Sequence, residues 1–173
     1  MTTFRDLGLR AEFVDALAAQ GIDDAFPIQE ATIADALAGR DVCGKARTGS
    51  GKTLAFGLPM LQTAAKAVPG HPTALVLVPT RELAKQVVDV LAPLGKEVGM
   101  RVAAFYGGTS LDKQVKNLQR KITVAVATPG RMIDLSYRAA RVLEFKSQGI
   151  TRVRMEVLQP RELAVSRSMA SLQ

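Results

Sequence analysis

The chain has 173 residues, 47% of them apolar, and a formal net charge of +7. That is enough length and enough apolar side chain for one globular domain with a real core, which argues against a disordered segment. No apolar run reaches the roughly 18–20 residues that cross a bilayer, and a single cysteine, Cys43, allows no internal disulfide.

In chain order, residues 10–20 put Phe13, Val14, Leu17 and Ala18 on one helical face, and Gly21 stops that helix. Residues 28–37 read as a second helix, ended by Gly39. Asp41-Val42-Cys43 then reads as the end of a short strand. It leads into Ala46-Arg47-Thr48-Gly49-Ser50-Gly51-Lys52-Thr53, the most informative stretch of the chain. Gly49 and Gly51 let the backbone turn tightly with its N–H groups pointing inward. Such donors, at the start of a helix, cradle phosphate oxygens. Lys52 supplies a point charge for the β- and γ-phosphates, and Thr53 a hydroxyl for Mg²⁺.

Residues 54–67 are the third predicted helix, with Pro59 as an irregularity. Residues 73–78 form a continuous apolar run closed by Pro79, the pattern of a strand buried on both faces. A helix at 81–91, a strand at 101–106 and a helix at 111–120 follow. Residues 123–128 make another buried strand, stopped by Pro129-Gly130. Strands alternating with helices imply an α/β fold, a mostly parallel sheet covered by helices on both faces. Ligands in such folds bind at the carboxyl ends of the strands. Here those ends carry Pro79-Thr80-Arg81, Gly107-Gly108 and Thr128-Pro129-Gly130-Arg131.

Charge and rare residues add little chemistry. Residues 1–135 hold 16 Lys+Arg and 13 Asp+Glu; residues 136–173 hold 7 and 3, so more than half of the basic excess lies in the last 38 residues. His71, the only histidine, sits in the turn Pro69-Gly70-His71-Pro72 and reads as a solvated loop residue. One Cys and one His argue against a zinc site. The lone cysteine and an N-terminus without an apolar signal core fit a reducing cytoplasm.

Several of these segments, in this order, resemble the first RecA-like domain of a DEAD-box RNA helicase. The resemblance covers about residues 4–135. Residues 46–53 match the family's phosphate loop, with Ala46 where the general motif has its first glycine. Pro79-Thr80-Arg81-Glu82-Leu83-Ala84, Gly107-Gly108 and Thr128-Pro129-Gly130-Arg131 resemble segments that hold the RNA backbone. Gly21, Pro27-Ile28-Gln29 and Phe4 resemble the family's adenine-reading element, with Ala25-Phe26 where the family has Pro-Thr. The resemblance implies ATP and Mg²⁺ as cofactors and RNA as partner. It places adenine at Phe4 and Gln29, and phosphate at Ala46, Thr48, Gly49, Ser50, Gly51, Lys52 and Thr53. It places RNA at Pro79, Thr80, Arg81, Gly107, Gly108, Thr128 and Arg131. A glutamine amide offers one donor and one acceptor, which suits adenine N6 and N7; arginine forks onto phosphate. Lys52 and Thr53 would be the residues at the reacting phosphates.

The resemblance stops before the acidic motif. In the family a buried strand ends in Asp-Glu-Ala-Asp, whose first Asp helps hold Mg²⁺ and whose Glu helps activate water. This chain has no Asp after Asp134, and Gln159-Pro160-Arg161-Glu162 stands where spacing puts that motif. Gln159 cannot supply a carboxylate. Arg152-Val153-Arg154-Met155-Glu156-Val157 alternates polar with apolar, which suits a half-exposed strand. The expected organisation is therefore an incomplete RecA-like domain over 1–135 and a divergent, poorly packed or frame-shifted basic tail over 136–173. The expected activity is ATP-dependent RNA unwinding in kind. A non-hydrolysing RNA- or partner-binding fragment, or an inactive gene remnant, stays open beside it.

Overall fold

Six helices and three strands appear in a computed structural model that describes residues 2–131. They run α1 (Ala11–Ala18), α2 (Pro27–Glu30), α3 (Ile33–Leu37), α4 (Lys52–Thr63), β1 (Ala74–Leu77), α5 (Arg81–Glu97), β2 (Val102–Phe105), α6 (Leu111–Leu118) and β3 (Val124–Ala127). The strands form a parallel sheet in the order β1-β3-β2. β3 lies between the other two, so all four of its residues are buried, as the buried strand read at 123–128 predicts.

The alternation of side chains along β3 divides the core. Val124 and Val126 face a large cluster built from Phe13 and Leu17 of α1, Leu58 and Leu61 of α4, and Leu91 and Leu94 of α5. Ala125 and Ala127 face the other way, with Phe105, against Val115 and Leu118 of α6. The sheet is thus covered by helices on both sides, and the α/β expectation holds.

Three details differ from the sequence reading. The 28–37 helix is two short helices, because Thr32 leaves the helical conformation (φ −128°) and its hydroxyl donates to the Ile28 carbonyl at 2.6 Å. Residues 41–43 form no strand among the described residues. And β1 is not buried on both faces: Ala74 and Val76 pack inward, but Leu75 and Leu77 are 43% and 41% exposed. The cause is position. β1 pairs with β3 on one edge, and its other described edge opens onto a cleft of about 870 Å³ that reaches Asp41, Val42 and Gly44. Apolar content alone does not say whether a strand is central or at an edge. Helix bounds also moved: α4 begins at Lys52 and α5 continues through Pro93 to Glu97. The expectations for a strand at 150–158 and for the tail fall outside the described residues.

α4 and α5 approach each other closely at Gly57. A Cβ on Gly57 would run into the side chain of Leu91, which is itself fully buried and cannot step aside. Glycine in a helix interior ordinarily costs about 1 kcal/mol relative to alanine. Here the contact reverses the sign. Gly57→Ala is expected to destabilise the fold by about 1–3 kcal/mol, the usual range for overpacking. Urea titration of the wild type, Gly57→Ala and Gly57→Ala/Leu91→Val measures it. The double variant should recover part of the loss; strictly additive losses would show that Leu91 is not the obstacle.

Candidate functional site

The 46–53 segment folds as its glycines demand. Gly49 and Gly51 both sit at φ 79°, and Gly51 is the N-cap of α4. The N–H groups of Gly51, Lys52 and Thr53 have no hydrogen-bond acceptor among the described residues. They form the open, positive end of a twelve-residue helix. The Lys52 ammonium turns back into the loop and donates to the carbonyls of Ala46 (2.6 Å) and Arg47 (2.5 Å). The Ser50 hydroxyl also donates to the Arg47 carbonyl, at 2.7 Å. The loop is therefore closed around its own lysine. A phosphate oxygen is a stronger acceptor than a peptide carbonyl, so these are bonds an anion can take over.

Gln29 ties a second element to this loop. It is 1% exposed. Its Oε1 accepts from the Phe26 N–H at 2.8 Å, and its Nε2 donates to the Gly51 carbonyl at 3.0 Å. Both halves of the amide are thus engaged within the protein. Gly51 has no room for a side chain: a Cβ would overlap the Gln29 amide and stand 2.8 Å from the Phe26 ring. Phe4 lies deeper. It is 1% exposed and belongs to the main core, so its ring faces Leu7, Leu9 and their neighbours rather than solvent. The resemblance assigns Phe4 and Gln29 to adenine; the structure buries both side chains.

The strand ends gather the remaining candidates. Pro79, Thr80 and Arg81 follow β1, Gly107 and Gly108 follow β2, and Thr128 and Arg131 follow β3. Thr80 caps α5, its hydroxyl accepting from the Leu83 N–H at 3.2 Å. Arg81 reaches the glycine turn: a Cβ on Gly108 would lie 3.4 Å from its Nη1. Arg131 reaches the same turn from the other side and donates from Nη2 to the Thr109 carbonyl at 3.3 Å. Its Nε is buried with no partner among the described residues. The Thr128 N–H donates to the Phe105 carbonyl at 3.1 Å. Two arginines, a glycine turn and two threonines thus share one face. Arg81 also pairs with Glu82 (Nε to Oε1, 2.7 Å). That hydrogen bond raises the Arg81 pKa and holds the Glu82 carboxyl below the usual carboxylate range.

One residue here escaped the sequence reading. Gln114, on α6, is buried, and its Nε2 donates to the Tyr106 carbonyl at 2.9 Å and to the Thr109 hydroxyl. It holds the 106–109 turn against α6. The signal was present: Gln114 is a polar residue on the side of the helix that carries Leu111, Val115 and Leu118.

Comparison with known proteins identifies the family and the fold. The profile of the DEAD/DEAH box helicases matches residues 26–158. The chain belongs to that family. It is 43% identical over 137 residues to the DEAD-box ATP-dependent RNA helicase CshA of Bacillus cereus, a match covering 78% of this chain and 25% of the relative. It is 46% identical over 140 residues to the mitochondrial DEAD-box ATP-dependent RNA helicase 9 of Arabidopsis thaliana, covering 78% of this chain and 23% of the relative. The chain therefore spans about a quarter of the curated relatives it matches. Among solved structures, the RNA helicase Prp28 of Chaetomium thermophilum, bound to ADP, superposes with a TM-score of 0.72 at 38% identity, over 80% of this chain and 35% of that one. The sheet and its helices are accordingly a RecA-like domain of DEAD-box type.

Removing the Gln29 amide leaves the part-buried Phe26 N–H without its acceptor, while the Gly51 carbonyl keeps the Leu54 and Ala55 N–H groups. Gln29→Ala is expected to cost about 1–3 kcal/mol of stability for that reason. Chemical denaturation in the absence of any ligand measures it. A loss below a few tenths of a kcal/mol would show that water replaces the amide freely.

Proposed function

We propose that this chain forms the ATP- and RNA-gripping domain of an ATP-dependent RNA helicase. The observation that carries the reading is the phosphate loop: unpartnered N–H groups at the start of α4, two left-handed glycines and an ammonium poised on exchangeable carbonyls. A triphosphate fits that donor set. Its oxygens would take the loop N–H groups and Lys52, with Ala46, Thr48, Gly49 and Ser50 shaping the backbone around them. Bound Mg²⁺ would neutralise charge on the phosphate oxygens, and Thr53 offers the hydroxyl for it. No cluster of acidic, histidine or cysteine ligands for a cation occurs among the described residues. Adenine falls to the element held by Gln29. Its entry exchanges the Gln29–Gly51 bond for a bond to the base, so nucleotide binding is felt at the Gly51 carbonyl. Phe4 supports this element from within the core.

On the strand-end face, Arg81 and Arg131 hold RNA phosphates. Pro79, Thr80, Gly107, Gly108 and Thr128 let the backbone approach without reading its sequence. As a 173-residue polypeptide the chain binds without turning over. Gln159-Pro160-Arg161-Glu162 supplies no carboxylate at the first two positions of the expected acidic motif, and residues 136–173 act as a divergent basic tail. No described helix is long and apolar enough to cross a membrane, and Cys43 is free and exposed. A reducing cytoplasm suits both.

Lys52→Ala should weaken binding of a fluorescent ATP analogue by about 10- to 100-fold, the loss of a charge-assisted contact. Equal titration curves for the two proteins would remove the loop from the account. RNA-stimulated hydrolysis should be absent from the purified chain. Turnover that rises with RNA and depends on Lys52 would overturn the non-hydrolysing reading.

Arg81 meets RNA half-neutralised by Glu82. Glu82→Gln should therefore tighten RNA by up to about fivefold, the upper end for an exposed pair. The pH sign follows. Glu82 has a lowered folded pKa, so the pair persists above the ordinary carboxylate range and is lost as pH falls through the lowered value. Wild-type RNA affinity should rise on that acid limb relative to Glu82→Gln, read by fluorescence anisotropy. Parallel profiles for both proteins would mean that Glu82 does not restrain Arg81.

A further inference from the structure

A basic surface lies on α6, outside the phosphate loop and the strand-end arginines. Lys113, Lys116 and Arg120 are all exposed, and their spacing of three and four residues puts them on one face of α6 and its C-terminal turn. None of the three has a described ion-pair partner. They line a shallow groove of about 420 Å³ together with Thr109, Ser110 and Asn117. Asp112, the one acid of the helix, does not line it.

The groove is continuous with the face described above. It begins at Thr109, whose carbonyl accepts from Arg131, beside the Gly107-Gly108 turn. It is also held rigidly to that turn, because Gln114 bonds both the Tyr106 carbonyl and the Thr109 hydroxyl. At 1.5 Å rise per residue the three cations extend the face by about 10 Å. A row of cations with no ion-pair partner among the described residues, with hydroxyl and amide groups between them and no described acid lining the groove, complements a chain of phosphates.

We propose that the α6 row is a second backbone track, which carries an RNA strand onward from the glycine turn. The proposal rests on the strand-end face being the RNA site. The row adds length to the footprint and no sequence preference, since lysines of this kind meet phosphates and not base edges. All three side chains are exposed, so replacing them leaves the core intact.

The test is fluorescence anisotropy with a short oligouridine that spans only the strand-end face and a longer one that reaches past it. The proteins are the wild type, Lys113→Ala/Lys116→Ala/Arg120→Ala, and Arg81→Ala/Arg131→Ala. For the triple variant on the longer RNA, the slope of log affinity against log salt should fall by about 2, at about 0.7 for each single-strand phosphate contact. Its binding of the short RNA should match the wild type. A wild-type slope on the longer RNA overturns the second track, and so does equal weakening on both lengths, which would place α6 within the first footprint. Failure of the underlying reading looks different: Arg81→Ala/Arg131→Ala would then bind both RNAs as the wild type does.

Discussion

Parallel pairing of β3 with β1 on one edge and β2 on the other sets Leu77, Ala127 and Phe105 at one level. The three chains that leave the sheet there are consequently neighbours, although about 50 residues of sequence separate Thr80 from Arg131. Arg81 can lie against Gly108, and Arg131 can reach Thr109, only because that register holds. A slip of one residue would turn Val124 and Val126 out of the larger core cluster, so burial enforces the register that the face requires. Stability and site geometry are here one constraint.

The phosphate loop depends on a different support. It leaves no described strand, and it is braced instead from the side by Gln29 and Phe26. A buried amide with both halves satisfied is a stiff coupling, because losing either bond strands a polar group. The element proposed to meet adenine and the loop proposed to meet phosphate therefore move together. The lysine inside the loop is equally committed, to two carbonyls. What the loop offers an anion is an exchange of partners, so its resting state is closed without being blocked.

Charge is arranged more finely than the total suggests. Arg81 is balanced by Glu82, and Arg40 by Asp35, while the α6 row carries no such balance among the described residues. β1 shows the opposite economy in its apolar groups. Leu75 and Leu77 stand open beside the cleft, with Val42 and Phe56 also exposed, and a strand edge of that kind readily pairs with further chain.

Local chemistry was readable from the sequence alone. Gly49 and Gly51 had to turn left-handed, the run at 123–128 had to be a buried strand, and Thr80 and Ser110 cap the helices that follow them. Those features depend on a few adjacent residues, whose steric and hydrogen-bonding preferences act over one turn of chain. What tertiary structure decided is everything that depends on which neighbour a segment meets. The apolar run at 73–78 could not reveal that one side of β1 has no partner strand among the described residues, since a central strand and an edge strand use the same residues. Gln29 and Phe4 were assigned to an adenine-reading element by resemblance; that both are buried, with Phe4 in the main core, came only from the packing. Gln114 was one polar residue on an apolar helix side until the 106–109 turn was seen to need it. Burial and long-range partners come from the packing of distant elements, and no window of sequence contains them.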